Sequence, residues 1–314
     1  MSDDIFITGA GGLLGWEFAT RFAAPHAAFG TGRVVALARR QLPAHDGLPG
    51  LEPRLDDDLF SAGWAADMPS DATVIHCAGL SNPRTEFSGL AEVLEQHVLP
   101  HLRMVETLVD RGWRGRLVLP SSGGAIYGDP RTLPVTEDHP LAPKSLYGLQ
   151  KLYLEQGLGD LARRHGFDLA ALRISNPYGS ARIKPGQGVI PILVDAFLEG
   201  RTFHVFGDGT ALRDYVHFDD LFAAVAAVTR APIPGRVLTL NLGSGRGTSL
   251  NELIERLGRL LDRRLSCDYT PSPYDVTSNV LCCDRARAHL DWTPRVSLED
   301  GLARTLEALN ARPR

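Results

Sequence analysis

Short apolar runs alternate with segments of helical spacing along the first 175 residues of the chain. An apolar run bounded by glycine or proline is typical of a buried strand, whereas apolar residues at intervals of three and four indicate a helix. The predicted strands are Ile5–Thr8, Val34–Ala38, 74–78, 116–120 and 169–174, and the predicted helices are 14–23, 90–111 and 147–165. This alternation predicts an α/β fold with a Rossmann-type, doubly wound parallel sheet.

The pattern becomes irregular after Asn176. A loop that contains proline and glycine at 184–191 precedes a predicted helix at 192–199 and a predicted strand at Phe203–Phe206. Further helices are predicted at 219–229, 249–261 and 298–309, and the apolar run 238–242 is predicted to return to the sheet. We therefore predict a larger domain of residues 1–175, to which 212–243 return, and a smaller carboxyl-terminal lobe of residues 176–211 and 244–314.

Composition and charge narrow the classes of partner. The chain has 314 residues and a net charge of −4, so it lacks the basic excess expected of a protein that binds nucleic acid or an anionic membrane surface. No apolar run is long enough to span a bilayer. The four cysteines have neither a Cys-x-x-Cys spacing nor a nearby histidine cluster, which predicts no metal site and no disulfide framework. The first residues lead directly into a strand without a signal-peptide pattern, so we expect a cytoplasmic protein.

A glycine-rich turn follows the first predicted strand and opens the first predicted helix. The turn contains Gly9, Gly12 and Gly15, with Leu13 and Leu14 between the last two. Glycines at a helix start allow a pyrophosphate to approach unpaired backbone N–H groups at the positive end of the helix dipole. Because this pattern stands between a strand and a helix, we predict that it binds a dinucleotide.

The end of the second predicted strand bears on which dinucleotide is bound. An NAD site commonly has an acidic residue there, which binds the ribose 2′-hydroxyl, but this chain has Arg39 and Arg40. An arginine pair suits a 2′-phosphate, so both NAD and NADP are retained as cofactors. The same two arginines are equally well explained as a solvated loop.

A tyrosine and a lysine lie one helical turn apart in the predicted helix 147–165. Tyr147 and Lys151 therefore share a face of that helix. A cation beside a phenol stabilises the phenolate and makes it a usable base. Ser122, at the carboxyl end of a predicted strand, supplies a hydroxyl at the edge where such sheets bind ligands. We predict Tyr147, Lys151 and Ser122 as the catalytic residues.

With these elements in order, nearly the whole chain resembles the extended short-chain dehydrogenase/reductase superfamily. Within it, the chain is similar to the nucleotide-sugar epimerases of the NAD-dependent epimerase/dehydratase family, typified by UDP-glucose 4-epimerase. Besides the turn and the Tyr147–Lys151 pair, the resemblance rests on the segments Val74–Gly79, Ser121–Gly128, Leu172–Pro177, Gly186–Ile190, Arg213–Tyr215 and Leu290–Pro294.

The resemblance implies a role for several more residues. Ala78 and Gly79 would lie along the cofactor, as would the glycine turn, while Lys151 would also hold the nicotinamide ribose. The residues implied to bind the nucleotide sugar, which we expect to be a UDP-sugar, are Asn176, Gly188, Val189, Val205, Phe206, Arg213 and Asp275. Asn176 and Arg213 are expected at the diphosphate, since the arginine fork matches phosphate oxygens; an ion pair with a neighbouring aspartate is the alternative for Arg213. The resemblance also implies a homodimer, formed through the helices 90–111 and 147–165.

The sequence departs from the epimerase pattern at three positions. Gly123 stands where the pattern has its catalytic serine or threonine, which leaves Ser122 as the nearest hydroxyl. Ser272 stands three residues before Asp275, where an arginine is usual, so one of two expected diphosphate contacts is missing. His97 stands in place of an asparagine, and we expect it to be a packed, hydrogen-bonded residue rather than a catalytic one.

These features predict an NAD(P)-dependent nucleotide-sugar epimerase that oxidises a sugar hydroxyl transiently to a ketone. A 4,6-dehydratase is disfavoured, because that class has an Asp-Glu pair where this chain has Gly124 and Ala125. An NADPH-dependent keto-sugar reductase is the nearest alternative, given Arg39 and Arg40. A non-catalytic dinucleotide sensor on the same fold is the alternative from another class, since fold alone does not imply catalysis.

Overall fold

The structure is a computed structural model that describes residues 2–24, 32–42, 48, 50–79, 81–180, 182, 188–271 and 278–310. Its strands are β1 (Ile5–Thr8), β2 (Val34–Ala38), β3 (Leu51–Leu55), β4 (Thr73–His76), β5 (Arg116–Ser122), β6 (Asp168–Ile174), β7 (Asn176–Tyr178), β8 (Phe203–Phe206), β9 (Leu212–His217), β10 (Val237–Leu242), β11 (Gly247–Ser249) and β12 (Cys267–Thr270). Its α-helices are α1 (Leu13–Phe22), α2 (Leu90–His97), α3 (Leu99–Asp110), α4 (Gly123–Ile126), α5 (Leu146–His165), α6 (Val189–Glu199), α7 (Phe218–Val228), α8 (Leu250–Leu261), α9 (Asp284–Leu290) and α10 (Leu298–Asn310).

Seven strands form the main sheet, in the order β10-β6-β5-β4-β1-β2-β3. The pairs from β5 through β3 are parallel, with Ile5 opposite both Val34 and Thr73. The central strands are buried along their length because helices cover such sheets on both faces. The predicted Rossmann-type, doubly wound parallel sheet is confirmed.

The chain divides into two compact units. Unit 1 comprises Met1–Gly128, Pro140–Arg173 and Phe222–Leu240, and unit 2 comprises Asp129–His139, Ile174–Leu221 and Asn241–Arg314. The segment Asp129–His139 falls in unit 2, although the sequence placed it in the larger domain. Tertiary contacts explain the difference: Val135 bridges to Leu281, and Nδ2 of Asn241 donates to the carbonyl of Val135 at 2.8 Å. Of the predicted returning segment 212–243, only Phe222–Leu240 falls in unit 1.

Each unit has its own apolar core. The core of unit 1 includes Phe6, Trp113 and Phe167, and that of unit 2 includes Phe197 and Leu257. Unit 2 also contains a three-stranded sheet of β11, β9 and β7 and a two-stranded parallel sheet of β12 and β8. None of the helices in the described ranges is long and apolar enough to cross a membrane.

The predicted helix 90–111 is two helices. Val98 has φ −120° and ψ −59°, which separates α2 from α3, and Pro100 follows in the first turn of α3. Proline is accepted there because the first N–H groups of a helix have no partner within it. The sequence pattern does not reveal this break, because the apolar spacing continues on both sides of it.

Candidate active site

The glycine turn between β1 and α1 is packed too closely for side chains at two of its positions. Gly9 has φ +73°, and a Cβ there would lie 2.5 Å from the backbone nitrogen of Ala78, just past β4. A Cβ on Gly15 would overlap the carbonyl oxygen of Gly9. Gly12 is the N-cap of α1, and its N–H donates to the carbonyl of Gly9 at 2.9 Å. The helix therefore begins with unobstructed N–H groups, including those at Leu13 and Leu14, a geometry that accepts a pyrophosphate.

The neighbouring strands bring the other predicted cofactor residues to the same edge. Because β5, β4, β1 and β2 are adjacent, their carboxyl ends meet beside the glycine turn. Ala78 is half-buried, and its N–H donates to Oγ1 of Thr8 at 3.3 Å. Gly79 is exposed, and a Cβ there would meet nothing within 4 Å. The edge leaves space at Gly79 and keeps the backbone of Ala78 fixed to β1.

Arg39 and Arg40 are exposed directly after β2. A Cβ on Gly11 of the glycine turn would lie 3.9 Å from Cβ of Ala38, so the end of β2 adjoins the turn. Within the described ranges, neither arginine forms an ion pair. Their guanidinium groups are thus available to solvent or to a ligand held by the turn.

Tyr147 and Lys151 lie together on α5. Ser145 is the N-cap of this helix, and its hydroxyl accepts the N–H of Gly148 at 3.1 Å, which sets the start of the first turn. Nζ of Lys151 lies 5.6 Å from the centroid of the Tyr147 ring and donates to the carbonyl of Pro120 at 3.3 Å. Both side chains are half-buried. The lysine is therefore held between the tyrosine and the end of β5.

Ser122 is the last residue of β5. The turn that follows it packs against the first turn of α5, since a Cβ on Gly148 would lie 2.5 Å from the carbonyl oxygen of Ala125. Ser122 is half-buried, whereas Ser121 is buried and donates its hydroxyl to Oε1 of Glu155 at 2.5 Å. Of these two adjacent serines, Ser122 is the more exposed, and the hydroxyl of Ser121 is bonded within the fold.

Three histidines lie behind this edge. Nδ1 of His76 is 2.7 Å from Oγ1 of Thr8, and Nε2 of His76 is 2.7 Å from Nδ1 of His101. Burial, reinforced by the charge of Lys151, lowers the pKa of His76 to about 3, and burial also holds the pKa of His101 well below its ordinary value. The ring of His97 is buried and packs edge-on against Phe87, with ring centroids 5.1 Å apart.

Sequence reasoning missed two buried groups on α5. Gln150 accepts the hydroxyl of Ser81 at 2.5 Å and donates to the carbonyl of His97 at 3.2 Å, which joins the segment after β4 to the end of α2. Glu155 pairs with Arg173 of β6, with Oε2 and Nη2 2.7 Å apart. The spacing of Tyr147, Lys151 and Glu155 at four-residue intervals was the available signal for the second group.

In unit 2, two of the predicted diphosphate residues lie on adjacent strands. Asn176 of β7 is exposed, and its Nδ2 donates to the carbonyl of Asp214 at 2.8 Å. Arg213 of β9 is half-buried, and burial lowers the pKa of its guanidinium, partly offset by Tyr215. Asp214 between them is buried and accepts from both the N–H and the hydroxyl of Ser244, which makes it a structural residue.

The residues of unit 2 that are predicted to bind the nucleotide lie at the start of α6 and on β8. Gly188, with φ +82°, is the N-cap of α6, and Val189 begins that helix. The side chain of Val205 is fully buried, so only its backbone is available to a ligand, whereas Phe206 is 65% exposed. Asp275, together with Ser272, lies outside the described residues. Within those residues, no group of histidine, cysteine and carboxylate side chains could hold a metal ion.

The sequence profile of the NAD dependent epimerase/dehydratase family matches residues 5–243. The chain belongs to this family. It is 35% identical over 214 residues to a UDP-glucose 4-epimerase of Mycolicibacterium smegmatis, covering 67% of each chain. It is 30% identical over 243 residues to a dTDP-4-dehydro-6-deoxyglucose reductase of Escherichia coli, covering 76% of this chain and 75% of the relative. A solved structure of MoeE5 in complex with UDP-glucuronic acid and NAD has a TM-score of 0.85 and 28% identity, covering 98% of this chain and 99% of that one.

Proposed function

We propose that the chain is an NAD-dependent epimerase of nucleotide sugars, with a UDP-hexose as substrate and inversion at C4. The observation that carries the proposal is the position of Lys151, over the ring of Tyr147 and bonded to the carbonyl of Pro120 at the end of β5. This contact supports a site in which the phenol of Tyr147 and the cation of Lys151 act together with the Ser122 hydroxyl. The family membership and the UDP-glucose 4-epimerase relative support the same reaction.

The glycine turn fits a dinucleotide. Side chains at Gly9 or Gly15 would clash with the backbone at Ala78 or at Gly9 itself, so glycine at both positions permits the tight turn that starts α1. We propose that the turn binds the pyrophosphate, that Ala78 and Gly79 line the cofactor, and that Lys151 holds its ribose. NAD, when bound, would supply the hydride acceptor and donor that allow a sugar carbon to be oxidised to a ketone and reduced again.

The residues of unit 1 supply the proton transfer. Tyr147 accepts the proton of the sugar hydroxyl as that carbon is oxidised, and it returns the proton when the carbonyl is reduced. Lys151 stabilises the phenolate through its positive charge, and Ser122 donates a hydrogen bond to the reacting oxygen. We propose that residues of unit 2 bind the rest of the substrate, with Asn176 and Arg213 at the diphosphate, Asp275 beside them, and Gly188, Val189, Val205 and Phe206 at the nucleotide.

A reductase of keto-sugars is the second candidate, favoured by the exposed Arg39 and Arg40 and by the E. coli reductase relative. The two reactions differ in cofactor balance. An epimerase recycles its bound NAD, whereas a reductase consumes NADPH in proportion to product. A dehydratase requires an acid near Tyr127, and Gly124 and Ala125 offer none.

The test is mass analysis of the cofactor released from purified protein, followed by incubation of the same protein with a panel of UDP-sugars. We expect bound NAD and interconversion of a UDP-hexose with its C4 epimer without added cofactor. Tyr147→Phe should keep the cofactor and lose about a thousandfold in turnover, since a positioned base contributes roughly 10²–10⁴. Tyr153→Phe, on the same helix, is the matched control. Oxidation of NADPH in proportion to product would instead show that the protein is a keto-sugar reductase.

We further propose that the protein acts in the cytoplasm as a homodimer formed through α2, α3 and α5. Leu90 and Leu94 of α2 and Leu99 of α3 are each between 37% and 42% exposed, a cluster of large apolar side chains that a second copy would cover. Light scattering of the wild type and of Leu94→Glu tests the dimer. A monomeric wild type would contradict it.

A further inference from the structure

A buried polar cluster lies behind the proposed catalytic residues and takes no direct part in the proposed chemistry. Its members are Ser121, Tyr127, Glu155 and Arg173, each less than a tenth exposed. Arg173 contacts Glu155 at both carboxylate oxygens, with Nε–Oε1 and Nε–Oε2 distances of 3.2 and 3.1 Å. Its Nη1 donates to the hydroxyl of Tyr127 at 3.0 Å. Ser121 donates a short hydrogen bond to Glu155.

This cluster touches the same stretch of β5 as the lysine. Lys151 donates to the carbonyl of Pro120, and Glu155, one turn further along α5, accepts from the next residue, Ser121. Tyr147, Lys151 and Glu155 thus form one row along α5 that faces the end of β5. A charge at Glu155 is therefore close enough to oppose the charge of Lys151, unless another group neutralises it.

The other titratable groups that face Lys151 are uncharged at neutral pH or common to every variant. At the end of β4, burial holds His76 neutral by lowering its pKa, and just past the strand it holds the Cys77 thiol neutral by raising its pKa to about 12. On α3, burial likewise holds His101 neutral. His97, at the end of α2, and Tyr127 are present in every variant. The charged groups that the variants change are Glu155 and Arg173, which form a pair.

We infer that the Glu155–Arg173 pair is an electrostatic positioning device, in which Arg173 neutralises Glu155 so that the charge of Lys151 acts undiminished on Tyr147. This inference rests on the proposed role of Tyr147 as the base. Glu155 and Arg173 are positioning residues, because they act through Lys151 and the end of β5. The carboxylate is needed there because its hydrogen bond from Ser121 joins β5 to α5 next to Ser122. The arginine allows that carboxylate to be buried without weakening the lysine.

Substitution of Glu155 and substitution of Arg173 should shift the titration of Tyr147 in opposite directions. Glu155→Gln keeps the shape but leaves a buried guanidinium, which stays protonated, so phenolate formation at Tyr147 should shift to lower pH. Arg173→Met leaves a carboxylate, so the same titration should shift to higher pH. Each shift should be on the order of one pH unit, as expected for a unit charge about two helical turns away at an effective dielectric constant near 20. The double variant should return to the wild-type midpoint.

The experiment measures the ultraviolet absorbance of phenolate against pH, with Tyr147→Phe made in each background and subtracted. The subtraction isolates one tyrosine, and the readout does not depend on turnover. Asp168→Asn is the matched control, because Asp168 lies at the other end of β6 from Arg173 and its carboxylate pairs with the buried Arg116 of β5, with Nη2 and Oδ2 3.4 Å apart. It should lower the unfolding temperature without moving the midpoint.

Opposite shifts in the single variants and recovery in the double variant are the expected result. A cluster that only supports the fold would lower stability in all three variants and leave the midpoint unchanged, which would overturn the inference. If one single variant does not fold, the other decides by the sign of its shift. If the protein shows these shifts but converts no UDP-sugar, the proposed function is refuted and the electrostatic role stands. If the protein converts a UDP-sugar but shows no shifts, the electrostatic role is refuted and the proposed function stands.

Discussion

Oγ1 of Thr8 and Nδ1 of His76 lie 2.7 Å apart, joining the ends of β1 and β4 directly behind the glycine turn. The same hydroxyl accepts the N–H of Ala78. Nε2 of His76 continues the chain to His101, and a hydrogen bond between two ring nitrogens requires one protonated and one bare nitrogen. Neutral rings therefore suit this arrangement, and protonation of both would break it.

We predict that acid destabilises the protein through these two histidines. Burial lowers the pKa of His76 to about 3 and the pKa of His101 well below its ordinary value of 6.5, so the folded state binds fewer protons than the unfolded state. Their stabilising contribution is complete above about pH 6.5 and is lost as the pH falls toward 3. The unfolding temperature should fall between pH 7.5 and about pH 5, and less steeply in His101→Gln, which retains an acceptor for His76. The exposed His165 is the control: equal slopes for His101→Gln and His165→Gln would contradict the prediction.

Gly9→Ala should impair both folding and cofactor binding. The backbone at Gly9 is left-handed, with φ +73°, and the new methyl group would lie 2.5 Å from the backbone nitrogen of Ala78. We expect a loss of at least about 1–2 kcal/mol of unfolding free energy from the conformation alone, and weaker NAD binding by about tenfold or more. Gly11→Ala in the same turn is the control, since its methyl group meets nothing closer than 3.9 Å. Thermal unfolding and titration with NAD measure the two effects.

The adjacent serines at the end of β5 should respond differently to substitution. Ser122→Ala should reduce turnover by about a hundredfold with little change in stability, because the residue is only half-buried and its hydroxyl is proposed to contact substrate. Ser121→Ala should cost about 1–3 kcal/mol of stability, because it leaves the buried Glu155 without one of its donors. Steady-state kinetics and denaturant unfolding of both variants check the contrast. Full turnover in Ser122→Ala would show that Ser122 does not replace the hydroxyl missing at Gly123.

Arg39 should contribute to the binding of NADP and not to the binding of NAD. Arg39 is exposed directly after β2, whose end adjoins the glycine turn, and we expect its guanidinium to contact a 2′-phosphate, a group that NAD lacks. Arg39→Ala should therefore weaken NADP binding by about tenfold or more, as for a hydrogen bond to a charged group, and leave NAD binding within about twofold. Calorimetric titration with both cofactors makes NAD the internal control. An equal loss for both would place Arg39 at a shared part of the dinucleotide.

The regular part of the fold follows from local pattern. The strand limits predicted at Ile5–Thr8, Val34–Ala38 and Phe203–Phe206 coincide with those of the structure, and α5 begins one residue before its predicted start. The edge strand β3 was missed because half-buried and exposed residues alternate after Leu51 and the strand contains Pro53, so it forms no apolar run. The short strands β7, β9 and β11 were missed as well, since three to six residues give too little periodicity to distinguish a strand from a loop.

The residues of the candidate site likewise divide into those that a local pattern predicts and those that depend on tertiary contacts. A four-residue spacing on one helix placed Tyr147 beside Lys151, and strand order placed the glycine turn beside the end of β5, because the carboxyl ends of neighbouring parallel strands share one edge. Glu155 had the same spacing, but its significance depends on Arg173 of β6, which no local pattern connects to it. The exposure of Ser122 and the burial of Ser121 were likewise invisible, since both residues end the same strand.

The sequence alone determined the class of fold, the glycine turn and the tyrosine–lysine pair, because each depends on the conformation of a few consecutive residues. The tertiary structure decided which serine is the more exposed, which carboxylate is neutralised and which histidines are kept uncharged. These properties depend on burial and on contacts between segments distant in the chain, where desolvation and charge pairing set the energy of each group.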